Sequence, residues 1–243
     1  MYRFEQGIDP VHGGLHADTL FSTRNTFVGV DNARFGTLLV GTHDTPLKKA
    51  QGDIDLFNNQ LGDIEGLVPG EVRARDSVLY RTPAIAGATV TGMYVPGDDD
   101  FGNSWSVSMA WSNDAIDFAI AADSDMRKND RPVSATAVYD AYRASARTHA
   151  GEWAIGVLGE RSRREPTGDW EHALIVSAGR PIGPWQLDFQ WGRSTIGNER
   201  TQWLAGISRQ FASVRLYGFV SHTLNDNTRN DSVLALGIEY KFR

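Results

Sequence analysis

The chain has 243 residues, a net charge of −6, no cysteine and a mean hydropathy of −0.35. Without cysteine there can be no disulfide and no thiolate metal site, and the acidic balance argues against a nucleic-acid partner. No apolar run reaches the ~18 residues of a membrane-spanning helix, but a membrane β-barrel stays open, because its lipid face uses only alternate residues.

The first segment, "YRFEQGID" from Tyr2, already reads as strand, with no basic and apolar leader ahead of it. Strand-like segments then begin near Arg24, Gly36, Val78, Thr89, Ser104, Ile116, Val138, Glu152, Trp170, Trp185, Thr201, Val214 and Val233. With the first they make about fourteen, nearly all with period-2 alternation. In "SWSVSMAWS", Trp105, Val107, Met109 and Trp111 share one face and Ser104, Ser106, Ser108, Ala110 and Ser112 the other. "EWAIGVLGE" sets Trp153, Ile155 and Val157 against Glu152, Ala154, Gly156 and Glu160. "PWQLDFQWG" and the terminal "SVLALGIEYKF" repeat the pattern.

The connections alternate in length. "DNAR", "AIAGA", "SNDA", "HAGE", "GRPIGP" and "QFAS" are tight. "DPVHGGLHADTLFS", the stretch 42–76, "PGDDDFGN", "SDMRKNDRPVS", "RSRREPTG", "TIGNER" and "LNDNTRND" are long or polar. Short turns at one end and long loops at the other suit an outer-membrane barrel, whereas a sandwich mixes connection lengths. Alternation alone does not say which face is wet. Charges on the second face favour a wet lumen: Arg3, Glu5, Arg24, Asp117, Glu152, Glu160, Glu171, Asp188 and Arg215. Trp and Tyr near segment ends suit interfacial girdles. The strand number exceeds what a small packed barrel needs, and a barrel of ~16 strands leaves an aqueous channel.

"TRNTFVGVDNARFGTLLVGTHDTPLKKAQGDIDLF" (23–57) resembles the hairpin and third loop of the Gram-negative general porins, trimeric diffusion pores of the outer membrane. "VRARDSVLYRTPAIAGATVTGMY" (72–94) resembles the strand pair that follows, and "ALGIEYKF" the closing strand. The resemblance implies an all-β, antiparallel transmembrane barrel of the 16-stranded type, one domain over 1–243, with 42–76 as an inward-folded constriction loop. It implies a homotrimer in outer-membrane lipid and lipopolysaccharide, passing small hydrophilic solutes and ions, with no cofactor and no covalent chemistry. It also implies that a leader and two strands are missing ahead of Tyr2. The chain departs from the family pattern at Gly41-Thr42, where the family has Gly-Arg, at Lys48 and Lys49, which add positive charge, and at Phe242, which Arg243 follows.

Carried over residue by residue, Asp53 and Asp55 match the acidic part of the loop, with Asp63 and Glu65 as further acidic candidates. Arg24 and Arg73 match the basic wall, and Arg75 and Arg81 share the parity of Arg73. Each has a plainer reading: turn-forming or solvated acids for Asp53 and Asp55, an ordinary lumen charge for Arg24, a solvated loop face for Lys48 and Lys49. "PGDDDFGN" could hold a divalent cation but lacks regular ligand spacing, and the "HGGLH" pair His12 and His16 sits in a poor helix. A barrel enzyme finds no support: there is no GxSxG, and Ser221 and His222, being adjacent, would point to opposite faces of a strand. A substrate-selective channel for anions or sugars, and a soluble β-sandwich binding module, stay open as alternatives.

Overall fold

The alternating segments form strands. The computed structural model describes residues 1–8, 21–98, 102–127, 138–164, 168–197, 199–226 and 229–241. His12, His16, Asp99, Asp100 and Phe242 lie outside the described residues. The strands are β1 (Tyr2–Arg3), β2 (Gln6–Ile8), β3 (Phe21–Thr23), β4 (Thr26–Asn32), β5 (Gly36–Asp44), β6 (Arg73–Arg81), β7 (Ala88–Val95) and β8 (Ser104–Ser112). They continue as β9 (Ile116–Arg127), β10 (Val138–Ala150), β11 (Trp153–Arg164), β12 (Glu171–Ile182), β13 (Trp185–Ser194), β14 (Arg200–Phe211), β15 (Val214–Asn225) and β16 (Asp231–Tyr240).

Fourteen of these, β1 and β4 to β16, make one antiparallel sheet in which each strand pairs with its neighbours in sequence. The β2–β3 pair prolongs β1 and β4, linked to them by the Arg24 N–H donating to the Glu5 carbonyl at 3.0 Å. Among the described residues, no ladder joins β16 back to β1. The tight hairpins are built where a left-handed residue is available. Gly151 (φ 62°) and Gly183 (φ 56°) turn β10 into β11 and β12 into β13. Ala86 and Gly87 both have positive φ, the need of a two-residue hairpin loop.

The short β3 begins inside the stretch 9–22 expected as a connection, and one expected strand boundary moves. The strand expected from Val78 begins at Arg73. Between Gly41↔Ser77 and His43↔Ala74 the ladder shifts by one residue, and Asp76 adopts φ 51°. The bulge breaks the period-2 pattern over Arg73–Asp76, so alternation begins again only after it.

The two faces settle which side is wet. Val107, Met109, Ile155, Val157, Leu174, Val176, Leu234, Leu236 and Ile238 are exposed, while Ser104, Ser106, Ser108, Glu160, Ser162, Ser177, Asp188 and Gln190 are buried. The apolar set points outward and the polar set inward, the reverse of a soluble barrel and the arrangement of a membrane one. Aromatic side chains bracket the outer face. Trp153 and Trp185 lie by the short turns, and the pairs Tyr94–Trp105 (4.5 Å) and Tyr142–Trp170 (5.5 Å) lie towards the long connections.

What fills the inside is the connection from Thr45 to Val72. It touches β8, β10, β11, β13 and β14 on their inner faces. Fourteen strands ~4.8 Å apart would span more than 60 Å if laid flat. One loop can reach so many of them only because the sheet curls around it.

Candidate functional site

The long connection starts in its own local structure. Thr45 caps a one-turn helix, α1 (Pro46–Lys49), by accepting from the Lys48 N–H at 3.1 Å, and Pro46 occupies the first turn, where no N–H is needed. At the far end Asp63 caps a 3-10 turn over Ile64–Gly66, accepting from the Glu65 N–H at 2.8 Å, and its second oxygen accepts from the Asn59 N–H at 2.7 Å. Between the two, the Asp55 carboxylate accepts from the Phe57 N–H (3.1 Å) and the Ile64 N–H (3.3 Å), closing the loop on itself.

The outer side of this loop docks by shape. Three glycines on the inner wall leave dents, and three apolar loop side chains enter them. A Cβ at Gly156 would stand 2.8 Å from Ile54, one at Gly192 2.3 Å from Leu67, and one at Gly206 2.8 Å from Phe57. Around these knobs the loop and wall share small cores: Ile54, Ile64, Leu67 and Val68 with Leu158 and Ile175, Leu47 and Ala50 with Ala119, Ala121 and Ala141, and Phe57 with Leu204 and Phe219. Each such side chain removed from water contributes about 1.5–3 kcal/mol.

Charge completes the docking. Arg143, on the inner face of β10, is fully buried between Glu71 of the loop and Glu160 of β11. Its guanidinium donates to Glu71 at 2.7 Å, to Glu160 at 2.8 Å and to the Leu47 carbonyl at 3.3 Å. Glu160 also accepts from the Gly70 N–H at 3.3 Å. One arginine thus holds both ends of the loop to the wall through charge-assisted hydrogen bonds. Sequence reasoning had no role for Glu71 or Arg143. The available signal was an arginine at inward parity in "AYRASA", flanked by small residues, where the barrel wall has room for something to pack.

On the side of the loop facing β4 and β6, a polar cavity of about 170 Å³ remains. Arg24, Lys48, Arg73 and Arg75 line it together with Asp63, Glu65 and Glu71. Five of the eight sequence candidates therefore meet in one place: Arg24, Arg73, Arg75, Asp63 and Glu65. Within it, Arg73 is tied to Asp44 at 3.0 Å, Lys48 lies 3.6 Å from Glu71, and Arg24 donates to Asn59 at 3.1 Å and Glu5 at 2.7 Å. The other three candidates lie elsewhere. Asp53 is exposed on the opposite flank of the loop and faces Arg147 of β10 at 3.3 Å. Asp55 is buried, and its oxygens serve the loop's backbone rather than the open lumen. Arg81 is at the short-turn end of β6, where it donates to Thr37 at 3.3 Å. The expected loop limits, 42–76, take in the end of β5 and the start of β6.

Burial, reinforced by the neighbouring Asp63 carboxylate, pushes the Asp55 carboxyl up to about 7, although the two backbone N–H groups pull the other way. In the "PGDDDFGN" segment, Asp98 is paired with Arg127 at 2.9 Å.

The chain matches the family model described as Gram-negative porin over residues 3–228. Its backbone is similar to that of an anion-selective porin from Comamonas acidovorans: TM-score 0.69, 17% identity, 91% of this chain and 79% of that one. It is similar to Salmonella typhi OmpF in complex with daunomycin: TM-score 0.77, 15% identity, 99% of this chain and 84% of that one. It is also similar to a mutant of Rh. blastica porin: TM-score 0.64, 16% identity, 98% of this chain and 88% of that one. No curated protein matches it in sequence. A curled antiparallel sheet with an apolar outside, a polar inside and a loop docked within it, together with a family match over nearly its whole length, means that the chain belongs to the Gram-negative porin family, β-barrel channels of the outer membrane.

Proposed function

We propose that this porin passes small hydrophilic solutes and ions by passive diffusion, and that its docked loop sets what passes. The observation that carries this reading is the charged cavity between loop and wall, with arginines on β6 and before β4 opposite carboxylates of the loop. A lumen of this kind is wet, so an ion keeps most of its hydration shell, and the low-dielectric wall focuses the transverse field between the two rows of charge. Arg24, Arg73 and Arg75 form the basic side. Asp63 and Glu65 form the acidic side, with Asp53 and Arg147 as a second, weaker pair across the loop. Asp55 contributes through the loop's shape. A homotrimer in lipid and lipopolysaccharide is the proposed assembly, supported by an OmpT structure from Vibrio cholerae described as a trimer form.

The second reading is an anion-selective channel. Four cations line the cavity against three carboxylates, and one of those, Glu71, is already held by Arg143. Planar-bilayer recording of the refolded chain tests both. Stepwise openings are expected, and their absence from a correctly folded barrel would sink the channel reading. In a salt gradient, Asp63→Asn with Glu65→Gln should move the reversal potential towards anions, and Arg24→Gln with Arg75→Gln towards cations. Unmoved potentials would remove these residues from the constriction.

A further inference from the structure

We propose that the lumen holds a second solute subsite, separate from the charged cavity at β4 and β6, which binds a zwitterion of amino-acid size: a neutral α-amino acid with a short branched side chain. The proposal rests on the channel reading and names a substrate class for it.

The recess, of about 410 Å³, lies between loop residues 49–54 and the inner faces of β7 to β10, within the range of ligand pockets. Its floor is made of small residues. Ala110 and Ala119 are cross-strand partners on β8 and β9, and Ala50 of the loop belongs to the same alanine-rich cluster. Thr89, the partner of Ala110 on β7, continues the row. Elsewhere the loop's Ile54, Phe57 and Leu67 fill the dents left by small wall residues, whereas here a cavity remains. Ser145 donates to the Ala50 carbonyl, which pins the loop as one side of the recess. Ser112 and Asp117 stand at the short-turn ends of β8 and β9, so the recess lies on the short-turn side of the loop.

The charges around it are balanced. Two cations, Lys49 and Arg147, line the recess with two carboxylates, Asp53 and Asp117. Arg147 lies 3.3 Å from Asp53, and its cross-strand partner on β9 is Asp117. That leaves one charge of each sign to spare. Lys49 is in no ion pair among the described residues, and neither is Asp117, which accepts from the Ser112 hydroxyl. A simple anion would meet Lys49 and be repelled by Asp117, and a simple cation would meet the reverse. A ligand that carries both charges satisfies both, with its carboxylate at Lys49 and its ammonium at Asp117, through a charge-assisted hydrogen bond at each end. The alanine floor takes a short apolar side chain out of water. In the cavity at β4 and β6 the cations outnumber the carboxylates, so the two places favour different solutes. Conduction requires that such binding stay weak enough for release.

Saturation-transfer NMR of the folded protein in detergent, with protein-free micelles as the zero, tests this with three probes. They are L-valine, isobutylamine (valine without its carboxylate) and isovalerate (valine without its ammonium). Valine should reach half-saturation at a concentration at least about tenfold below the other two, the scale of one charge-assisted contact. Lys49→Gln should weaken valine to the level of isobutylamine, and Asp117→Asn to the level of isovalerate. Ala110→Leu fills the floor and should abolish the valine signal. Equal binding of the three probes would overturn the site, as would valine binding unchanged in both Lys49→Gln and Asp117→Asn. Those two replacements keep the side chain's size or nearly so, and they decide the matter even where Ala110→Leu fails to fold. Planar-bilayer recording of the same preparations separates the two readings. Open channels without a preference for valine would sink the subsite and leave the pore, and a preference for valine without channels would sink the pore and leave a binding site.

Discussion

Asp55 and Asp53 are two residues apart and do different work, because one faces the loop's own backbone and the other faces water. With its carboxyl raised from the ordinary 3.8 to about 7, Asp55 is favoured as the protonated acid in the docked loop. The stability this adds is complete below about pH 4 and is lost as pH rises through about 7, where the folded loop must carry a buried charge. The loop should therefore loosen as pH rises from about 4 to about 7. Protection of the Phe57 and Ile64 amides against hydrogen exchange, corrected for intrinsic rates, should fall across that range, and Asp55→Asn should flatten the profile. An unchanged slope in the variant would show that another group titrates. Asp53 is the opposite case. An exposed ion pair such as Asp53–Arg147 is worth about 0–1 kcal/mol, so Asp53→Asn should leave folding alone and shift the reversal potential towards anions. At pH 6, Asp55→Asn should shift that potential far less, since Asp55 is already mostly neutral there.

At the scale of elements, the loop is held by three knobs and one buried arginine. Removing Arg143 would leave Glu160 without its cation and Glu71 with only Lys48, 3.6 Å away, and breaking a buried pair in this way costs about 3–5 kcal/mol. Arg143→Met should undock the loop, widen the pore and raise single-channel conductance. Adding Glu71→Gln and Glu160→Gln should recover part of the lost stability in a urea titration, because no unpaired charge would remain. If the triple variant were no more stable than Arg143→Met, the cluster would not be the latch. Gly206→Leu approaches the same element by shape: it fills the dent under Phe57 and should raise conductance while leaving the charges in place. These two features mark the limit of what the sequence makes legible. The loop's existence follows from its length, Arg24 and Arg73 from the resemblance, Arg75 from strand parity, and Asp63 and Glu65 from being further acids of the loop. The roles of Asp55, Glu71 and Arg143 do not, because a carboxylate that closes a loop and one that faces a channel look alike in one dimension. Only the docked geometry separates them. The glycine dents at Gly156, Gly192 and Gly206 are gaps in the inward set, and each needs its partner knob, about a hundred or more residues away in sequence, before it means anything.

For the whole molecule, alternation along the strands yields the fourteen strands of the main sheet and nearly every boundary, the bulge before Ser77 and the short β2–β3 pair being the exceptions. It leaves the direction of the apolar face open, since a soluble barrel and a membrane barrel share the same period. What decides is volume. The inside is taken by a loop, by the few apolar wall side chains that pack on it and by Ser, Gln, Asp and Arg side chains, so most branched residues have nowhere to go but outward. That inversion makes a depth-dependent claim about the solvent on the outside. Val157 sits mid-strand on β11, and Ile182 sits at the short-turn end of β12, both exposed and outward. In hydrocarbon, an arginine at the midplane costs about 2–4 kcal/mol, and one near the interface about 0–1 kcal/mol. Reversible folding into lipid vesicles should therefore show Val157→Arg destabilised by several-fold more than Ile182→Arg. In water, both exposed positions would accept arginine at little cost, and equal effects of the two substitutions would contradict a bilayer against this wall. The comparison reads the environment of the outer face directly and independently of whether any ion crosses the lumen.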